Sequence, residues 1–396
     1  VVTLTHNHLV TAVLAIAVAT AVGLFALWPS LDDVPRGSQG VPPTLVQATI
    51  TSITAYEGEP DPVFGDSGER AEIVLVLDEG ERAGGEVLLD TGLDGYPPLS
   101  EGDRVELSLS EFEDGQEQWF IVDLVRGPSL LALGALFVAF VLLISRWQGL
   151  RALLGLAISL FVVFRFVVPA IIAGSPPFLV ALVGAGAVLL SSLYLAHGFD
   201  VMTSSAVVGT AIALAITIGL GALFIDATAL TGFASEDAVI ARFAVEGLDL
   251  RGLVLAGLVI SALGVLDDVT VAQASTVFAL RRAAPDASWR HIVAEAMTVG
   301  RDHIASTVNT LVLAYVGASL ALLLVFWTGG LPLGDVLTSE IVAEEIVKTL
   351  VGSMGILAAV PLTTGLAAAV AVGPGSGIAV GRAGHVPHAP HTHGGH

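Results

Sequence analysis

Eight stretches of the chain run for roughly twenty residues with scarcely a charge, and no other feature limits its folding so tightly. They lie at 10–28, 128–145, 150–173, 178–196, 203–225, 252–280, 304–327 and 346–372. At 1.5 Å per residue, about twenty residues in a helix cross the roughly 30 Å of hydrocarbon in a bilayer. In hydrocarbon a backbone must satisfy its own N–H and C=O groups, and for runs of this length the helix is the structure that does so. Pro169 and Pro361 fall inside two of the runs, which a bundle tolerates where neighbours re-satisfy the freed carbonyls. Composition agrees: 13% of residues are charged, against about 25% in soluble domains, and mean hydropathy is +0.82. The flank of the first run has no Lys or Arg and the run is long for a cleaved signal, so an uncleaved helix is expected.

The net charge of −21 is concentrated. Between Asp32 and Arg126 there are 22 acidic residues against five arginines. Such a surface argues against nucleic acid and anionic headgroups as partners. The segment reads as strands: 45–53, 72–77, 86–89, 104–109 and 119–125 are β-rich runs bounded by Gly, Pro and Asp. Val105, Leu107 and Leu109 alternate with Glu106, Ser108 and Ser110, the pattern of a half-buried strand. The expected fold class is therefore an all-α membrane bundle of about eight transmembrane helices with one extracytoplasmic, small β-barrel-like (OB-like) domain. The first helix occupies 1–28, the acidic domain 29–127, the remaining seven helices 128–373, and a disordered His/Gly/Pro-rich tail 374–396.

Orientation follows from the basic residues. With the amino terminus inside, Arg146, Arg151, Arg281, Arg282, Arg290, Arg301 and Arg382 are inside, and Arg242, Arg251 and Lys348 lie on or near the outer side. Both termini are then cytoplasmic. The inner loop also reads as an interfacial helix, with Ser288 as its cap and Trp289, Ile292, Val293, Ala296 and Met297 as an apolar stripe.

The strongest chemical signal is Asp267-Asp268 inside the run at 252–280. Each ionised Asp near the bilayer centre costs on the order of 3 kcal/mol, a cost that usually marks a proton or ion path. The alternative ends the helix at Leu266 and leaves both as a solvated cap. Adjacent residues point about 100° apart on a helix, so the pair does not form an aspartic-protease dyad. Polar partners on offer are Asn309, Thr307 and Thr310, with Lys348 and Arg165 as cations. Against these, Lys348 can pair with Glu344 four residues earlier, and Arg165 can snorkel. The tail residues His385, His388, His391, His393 and His396 could bind Zn²⁺, Ni²⁺ or Cu²⁺ weakly. There is no cysteine, P-loop, G-x-S-x-G, H-E-x-x-H or dinucleotide fingerprint, so neither an enzyme nor a cofactor is expected.

The runs Gly247-Leu248-Asp249-Leu250-Arg251-Gly252, Gly264-Val265-Leu266-Asp267-Asp268-Val269-Thr270 and Gly300-Arg301-Asp302-His303-Ile304-Ala305-Ser306-Thr307-Val308-Asn309-Thr310-Leu311 carry a resemblance. So do Leu337-Thr338-Ser339-Glu340, Ala343-Glu344-Glu345-Ile346-Val347 and His197-Gly198-Phe199. Together they resemble the YibE/F family of bacterial membrane proteins over roughly 130–372. The resemblance implies a multi-pass plasma-membrane protein and no particular activity. Arg165 departs from it, standing where an apolar residue is expected. Locally, Gly then Asp-Asp within a helix, followed by Gly-x-x-x-Ile-Ala-x-Thr opening the next, is similar to RND proton-driven exporters and, more distantly, SecD/SecF subunits. That likeness implies that Asp267 and Asp268 are relay acids, with Lys348 or Arg165 as cationic partner. It departs in having one outer domain and two extra helices. The expected function is a proton- or cation-coupled transporter or translocation accessory. The alternative is a scaffold whose outer domain recruits a protein.

Topology is checked by cysteine labelling of intact cells. Single cysteines near Gly115 and Asp237 should react from outside, and those near Gly149, Asp286 and Gly384 only after permeabilisation. Outside labelling at Asp286 would overturn the helix order.

Overall fold

The computed structural model describes residues 6–30, 45–58, 69–80, 82–93, 98–111 and 117–373. The expected histidine tail lies outside the described residues. Two compact units divide the chain, one of Val1–Val34 with Trp147–His396 and one of Pro35–Arg146.

The smaller unit holds five strands: β1 Leu45–Glu57, β2 Glu69–Leu77, β3 Glu86–Gly92, β4 Arg104–Glu111 and β5 Glu117–Leu124. They pair antiparallel in the order β3-β2-β1-β4-β5. Period-2 alternation builds the core. Val46, Ala48 and Ile50 of β1 meet Ile73, Leu75 and Leu77 of β2, Val87 and Leu89 of β3, Val105 and Leu107 of β4, and Ile121 of β5. A bulge between Ile50 and Ser52 resets the long first strand, and the Thr51 hydroxyl there donates to the Val74 carbonyl at 3.0 Å. The barrel expected from the sequence is not closed: among the described residues no ladder joins β3 to β5. Four pairings, each twisted by roughly 20–25°, curl the sheet without bringing its edges into register. The order is still that of a five-stranded barrel slit between β3 and β5.

At the far end of β1, Tyr56 Oη donates to Asp90 Oδ1 at 2.6 Å, and Arg70 Nη2 lies 3.3 Å from the same oxygen. The Tyr56 hydrogen bond first, and the Arg70 charge after it, hold the Asp90 carboxyl below the usual aspartate range.

The helices are α1 His6–Leu27, α2 Gly127–Val162, α3 Val168–Ile172, α4 Pro177–His197, α5 Val201–Ala227, α6 Glu236–Ala244, α7 Leu250–Ala283, α8 Trp289–Ala318, α9 Leu320–Thr328, α10 Leu333–Thr338 and α11 Glu340–Val372. A π-helical turn, Val163–Val167, joins α2 to α3. Six of these helical stretches are long and apolar enough to cross a membrane, or seven if the bent pair α8–α9 counts as one. One of the six is the 46-residue stretch Gly127–Ile172. At Arg146 its backbone leaves the helix (φ 50, ψ −126), so the second and third apolar runs meet at a single-residue break where a loop was expected.

In the larger unit α5, α7 and α11 pack against one another. α4 lies on α7, α8 on α11 and α7, and α1 on α4 and α5. Their contacts are made by small side chains: Ala206, Ala213, Ala262, Ala274, Ala359 and Ala367 belong to the main core. Asp200, Ser235, Asp249 and Ser288 cap α5, α6, α7 and α8 by accepting from the backbone N–H three residues on. At the start of α11, the Glu340 carboxylate accepts from Thr231 N (2.6 Å), Thr231 Oγ1 (2.7 Å) and Gly232 N (2.9 Å), tying down the loop after α5. Gly232 has φ +84 and its Cα faces the Leu250 backbone, so a Cβ has no room there.

The interfacial helix expected at 289–297 does not stand alone. α8 continues unbroken through Gly300 to Ala318, because Gly300 faces Gln273 and Val360 at a close helix crossing rather than ending the helix. The break comes later, with a 58° bend between α8 and α9.

Residues 35–126 expressed alone should give a soluble, β-rich monomer by circular dichroism. Because the Asp90 carboxyl is lowered in the fold, the stability it contributes is present above the ordinary aspartate range and lost as pH falls through the lowered value. Tyr56→Phe should therefore destabilise this domain at neutral pH, with the difference from wild type closing in acid. A helical or random-coil spectrum would show that the strands need the rest of the chain.

Candidate functional site

α7 decides the position of the two aspartates. The Asp249 cap starts it and it continues for 34 residues, through Leu266, to Arg281, Arg282 and Ala283. The aspartates are therefore not a solvated cap at a helix end. They stand just past the middle of a helix whose composition suits a membrane span.

Three neighbours present polar atoms to this part of α7. From α4, the Ser192 hydroxyl donates to Asp267 Oδ2 at 3.2 Å. From α5, Thr210 Oγ1 lies 2.6 Å from Thr270 Oγ1, whose hydroxyl is also 3.0 Å from the Asp267 carbonyl. From α11, Thr364 donates to Gln273 Oε1 at 2.9 Å. Thr210, Thr270 and Thr364 are fully buried, and Gln273 is nearly so. Successive positions 267, 270 and 273 turn by 60° each, so α7 offers one polar group in turn to α4, α5 and α11.

Asp267 differs from the rest. Its Oδ1 is buried and accepts nothing from the described residues. A cavity of about 510 Å³ opens beside it between α2, the π-helical turn, α4 and α7, lined by Ser159, Ser192, His197, Gly264, Asp267 and Asp268 among others. α2 approaches α4 at Gly155, where a Cβ would stand 3.5 Å from Ser192 Cα. Asp267 is half-buried and Asp268, about 100° round the helix, is exposed, yet both line this cavity. Chemically, it is an apolar chamber with two carboxylates, two hydroxyls and, at the carboxyl end of α4, one imidazole.

The cations proposed from the sequence are not at this site. Lys348 Nζ pairs with Glu344 at 2.6 Å and Glu345 at 3.0 Å, the local alternative. Arg165 is exposed, because the π-helical turn buries Phe166 and Val167 and turns position 165 outward; among the described residues it forms no ion pair. Asn309 is exposed on α8 and absent from the cavity lining, and Thr310 bonds back to the Ser306 carbonyl. Of the relay residues drawn from the sequence, the structure brings only Asp267 and Asp268 together. Ser192, Thr210 and Thr364 went unnoticed, since a lone hydroxyl in an apolar run gives no signal of what it faces. Among the described residues no three His, Asp or Glu side chains converge as a metal site.

A family model for YibE/F-like proteins matches residues 133–373. The chain belongs to the YibE/F-like family. None of the curated proteins and none of the solved structures gives a significant match. In this YibE/F-like protein the matched region includes α4, α5, α7, α8 and α11, and hence every side chain around Asp267.

The geometry predicts a sharp difference in reactivity. In an otherwise cysteine-free chain, Asp268→Cys should react with a small methanethiosulfonate reagent through the cavity, and Thr270→Cys should stay unmodified. Equal reaction rates at the two positions would contradict this packing of α5 on α7.

Proposed function

We propose that this YibE/F-like protein is a proton- or cation-coupled membrane transporter or translocation accessory in which Asp267 is the relay carboxylate. One observation carries the reading: a carboxylate midway along a spanning-length helix has one oxygen on Ser192, the other without a donor, and an open cavity beside it. A permanently ionised group there would carry an uncompensated charge at membrane depth, whereas a group that takes up and releases a proton or cation is neutralised for part of its cycle. The local likeness to RND exporters and SecD/SecF subunits favours the same role. Since neither Lys348 nor Arg165 stands beside Asp267, the relay works here with hydroxyl partners and with Asp268, and without a fixed cationic partner.

In this reading the protein lies in the bacterial plasma membrane with both termini cytoplasmic. It crosses the membrane eight times, with the break at Arg146 separating the second and third crossings. A straight 46-residue helix would be about 69 Å long, more than twice the hydrocarbon thickness. The acidic sheet is extracytoplasmic, and its unjoined edges at β3 and β5 favour a protein contact as an accessory role. The protein is not an enzyme in this account.

The test is proton flux in proteoliposomes under an imposed pH gradient, read with an internal pH dye. Asp267→Asn should insert normally and lower the flux by about tenfold or more. Asp268→Asn should lower it too, and Asp237→Asn, an exposed residue of α6, should match wild type. Wild-type flux in both α7 variants would rule out the relay.

A further inference from the structure

The chain between α5 and α7 leaves large apolar side chains exposed. Its one helix, α6, Glu236–Ala244, packs closely on no other described element. The second turn of α6 exposes Ile240 and Phe243, 59% and 78% accessible, and Phe233, just ahead of the Ser235 cap, is 54% accessible. Positions 240 and 243 are three apart and share one face of the helix. Glu236 stands on that face one turn earlier, next to Asp237, so α6 is acidic at its start and apolar towards its end.

Both ends of α6 are tied to the ends of spanning-length helices. On the amino-terminal side, the backbone N–H groups of Thr231 and Gly232 donate to Glu340, the first residue of α11. Gly232 also lies against Leu250, the first residue of α7. Arg251 Nη2, 3.2 Å from Asp226 Oδ1, joins the start of α7 to the end of α5. On the carboxyl-terminal side, the chain runs from Ala244 to the Asp249 cap of α7. At no more than about 3.5 Å per residue, the two ends of α6 lie within about 14 and 18 Å of these anchors. The apolar runs of α5, α7 and α11 stop at 225, 252 and 346, so the anchors stand where hydrocarbon gives way to headgroups.

That placement selects the occupant of the exposed face. A short helix held at this level, with aromatic and aliphatic side chains on one face, lies in the interface and buries that face about 5–10 Å into the headgroup and acyl boundary. A protein partner fits less well. A stable contact buries about 800 Å² on each side, and two phenylalanines at about 150–250 Å² each, with one isoleucine, fall short of that. Glu236, Asp237 and Glu246 outnumber Arg242 here, so attraction to anionic headgroups is not the driving force. We propose that α6 is an in-plane membrane anchor. Its second turn enters the bilayer surface at the ends of α5 and α7 through Ile240 and Phe243, with Phe233 beside it, and Asp237 stays in water.

The chain has no cysteine, so single spin-labelled cysteines in the full chain, in phosphatidylcholine nanodiscs, test this directly. Collision of each label with oxygen, which concentrates in lipid, is compared with collision with nickel ethylenediaminediacetate, which stays in water. Labels at Ile240→Cys and Phe243→Cys should favour oxygen, and one at Asp237→Cys should favour nickel. Adding Phe243→Asp should shift the label at Ile240→Cys from oxygen towards nickel. Admixed phosphatidylglycerol should change none of these preferences. Asp267→Asn should leave them unchanged too, whatever its effect on flux, and they do not depend on which side of the membrane α6 lies. Failure of the relay, or of the orientation, is therefore separable from failure of the anchor. Labels at 240 and 243 that favour nickel would overturn the proposal by leaving the face in water. Exclusion of both reagents there would overturn it by revealing a protein cover, and dipolar broadening between labels would identify that cover as a second copy.

Discussion

Between helices in a bilayer the hydrophobic effect supplies little, so their association depends on how closely backbones approach and on which polar groups meet across the contact. The larger unit is built on that constraint. Gly209 of α5 faces Thr363 of α11, and Gly355 of α11 faces Thr217 of α5, in each case with no room for a Cβ. Gly221 of α5 faces Leu258 of α7 in the same way, and Gly300 of α8 lies where a Cβ would stand 2.6 Å from Val360 Cγ1 of α11. The reciprocal Gly–Thr contacts lock α5 and α11 in register, and α7 takes its place against both. A side chain at Gly209 would have to displace Thr363, whose Cβ is already 3.0 Å from where the new Cβ would stand, whereas at Gly221 the end of the Leu258 side chain can rotate away.

That close packing explains why the interior holds so many hydroxyls at little cost. Thr210, Thr217 and Ser353 donate to the carbonyl four residues earlier in their own helix, which satisfies the donor without a partner on a neighbour. Thr203 and Thr363 find no partner for their hydroxyl oxygen among the described residues, but they are neutral. An ionised carboxylate cannot donate, so it has no such local solution. Asp267 needs donors from elsewhere, and the described residues supply Ser192 alone. Among the described residues, the buried side-chain oxygens without a partner are those of Thr203, Thr363 and Asp267, and only Asp267 is an acid.

The parts that were legible in the sequence are those governed by period and length. The alternation of Val105, Leu107 and Leu109 foretold β4, the twenty-residue runs foretold the helices, and Ser288 foretold the start of α8. Breaks were less legible. The break at Arg146 falls in the gap expected between the second and third apolar runs, whereas Ser319 lies inside the run at 304–327 and nothing in it marks the bend. Charge partners were the least legible. Lys348 and Arg165 seemed available to the aspartates because a sequence shows only that a charge lies at some depth, not which face of the helix bears it. The (i, i+4) contact to Glu344 took the lysine, and a π-helical turn rotated the arginine outward.

The two charged places also differ in kind. Glu344 and Glu345 share the one ammonium of Lys348, in a cluster closed within the first turns of α11. Asp267 has a hydroxyl for a partner and faces a chamber with further polar groups. The first arrangement suits holding a charge, the second suits exchanging one. They stand on different helices, α11 and α7, which pack directly on each other and are joined near Asp267 through Gln273 and Thr364. α11 thus bears a self-contained charged cluster near its beginning and, further along, Thr364, which ties it to α7 through Gln273 beside the Asp267 site.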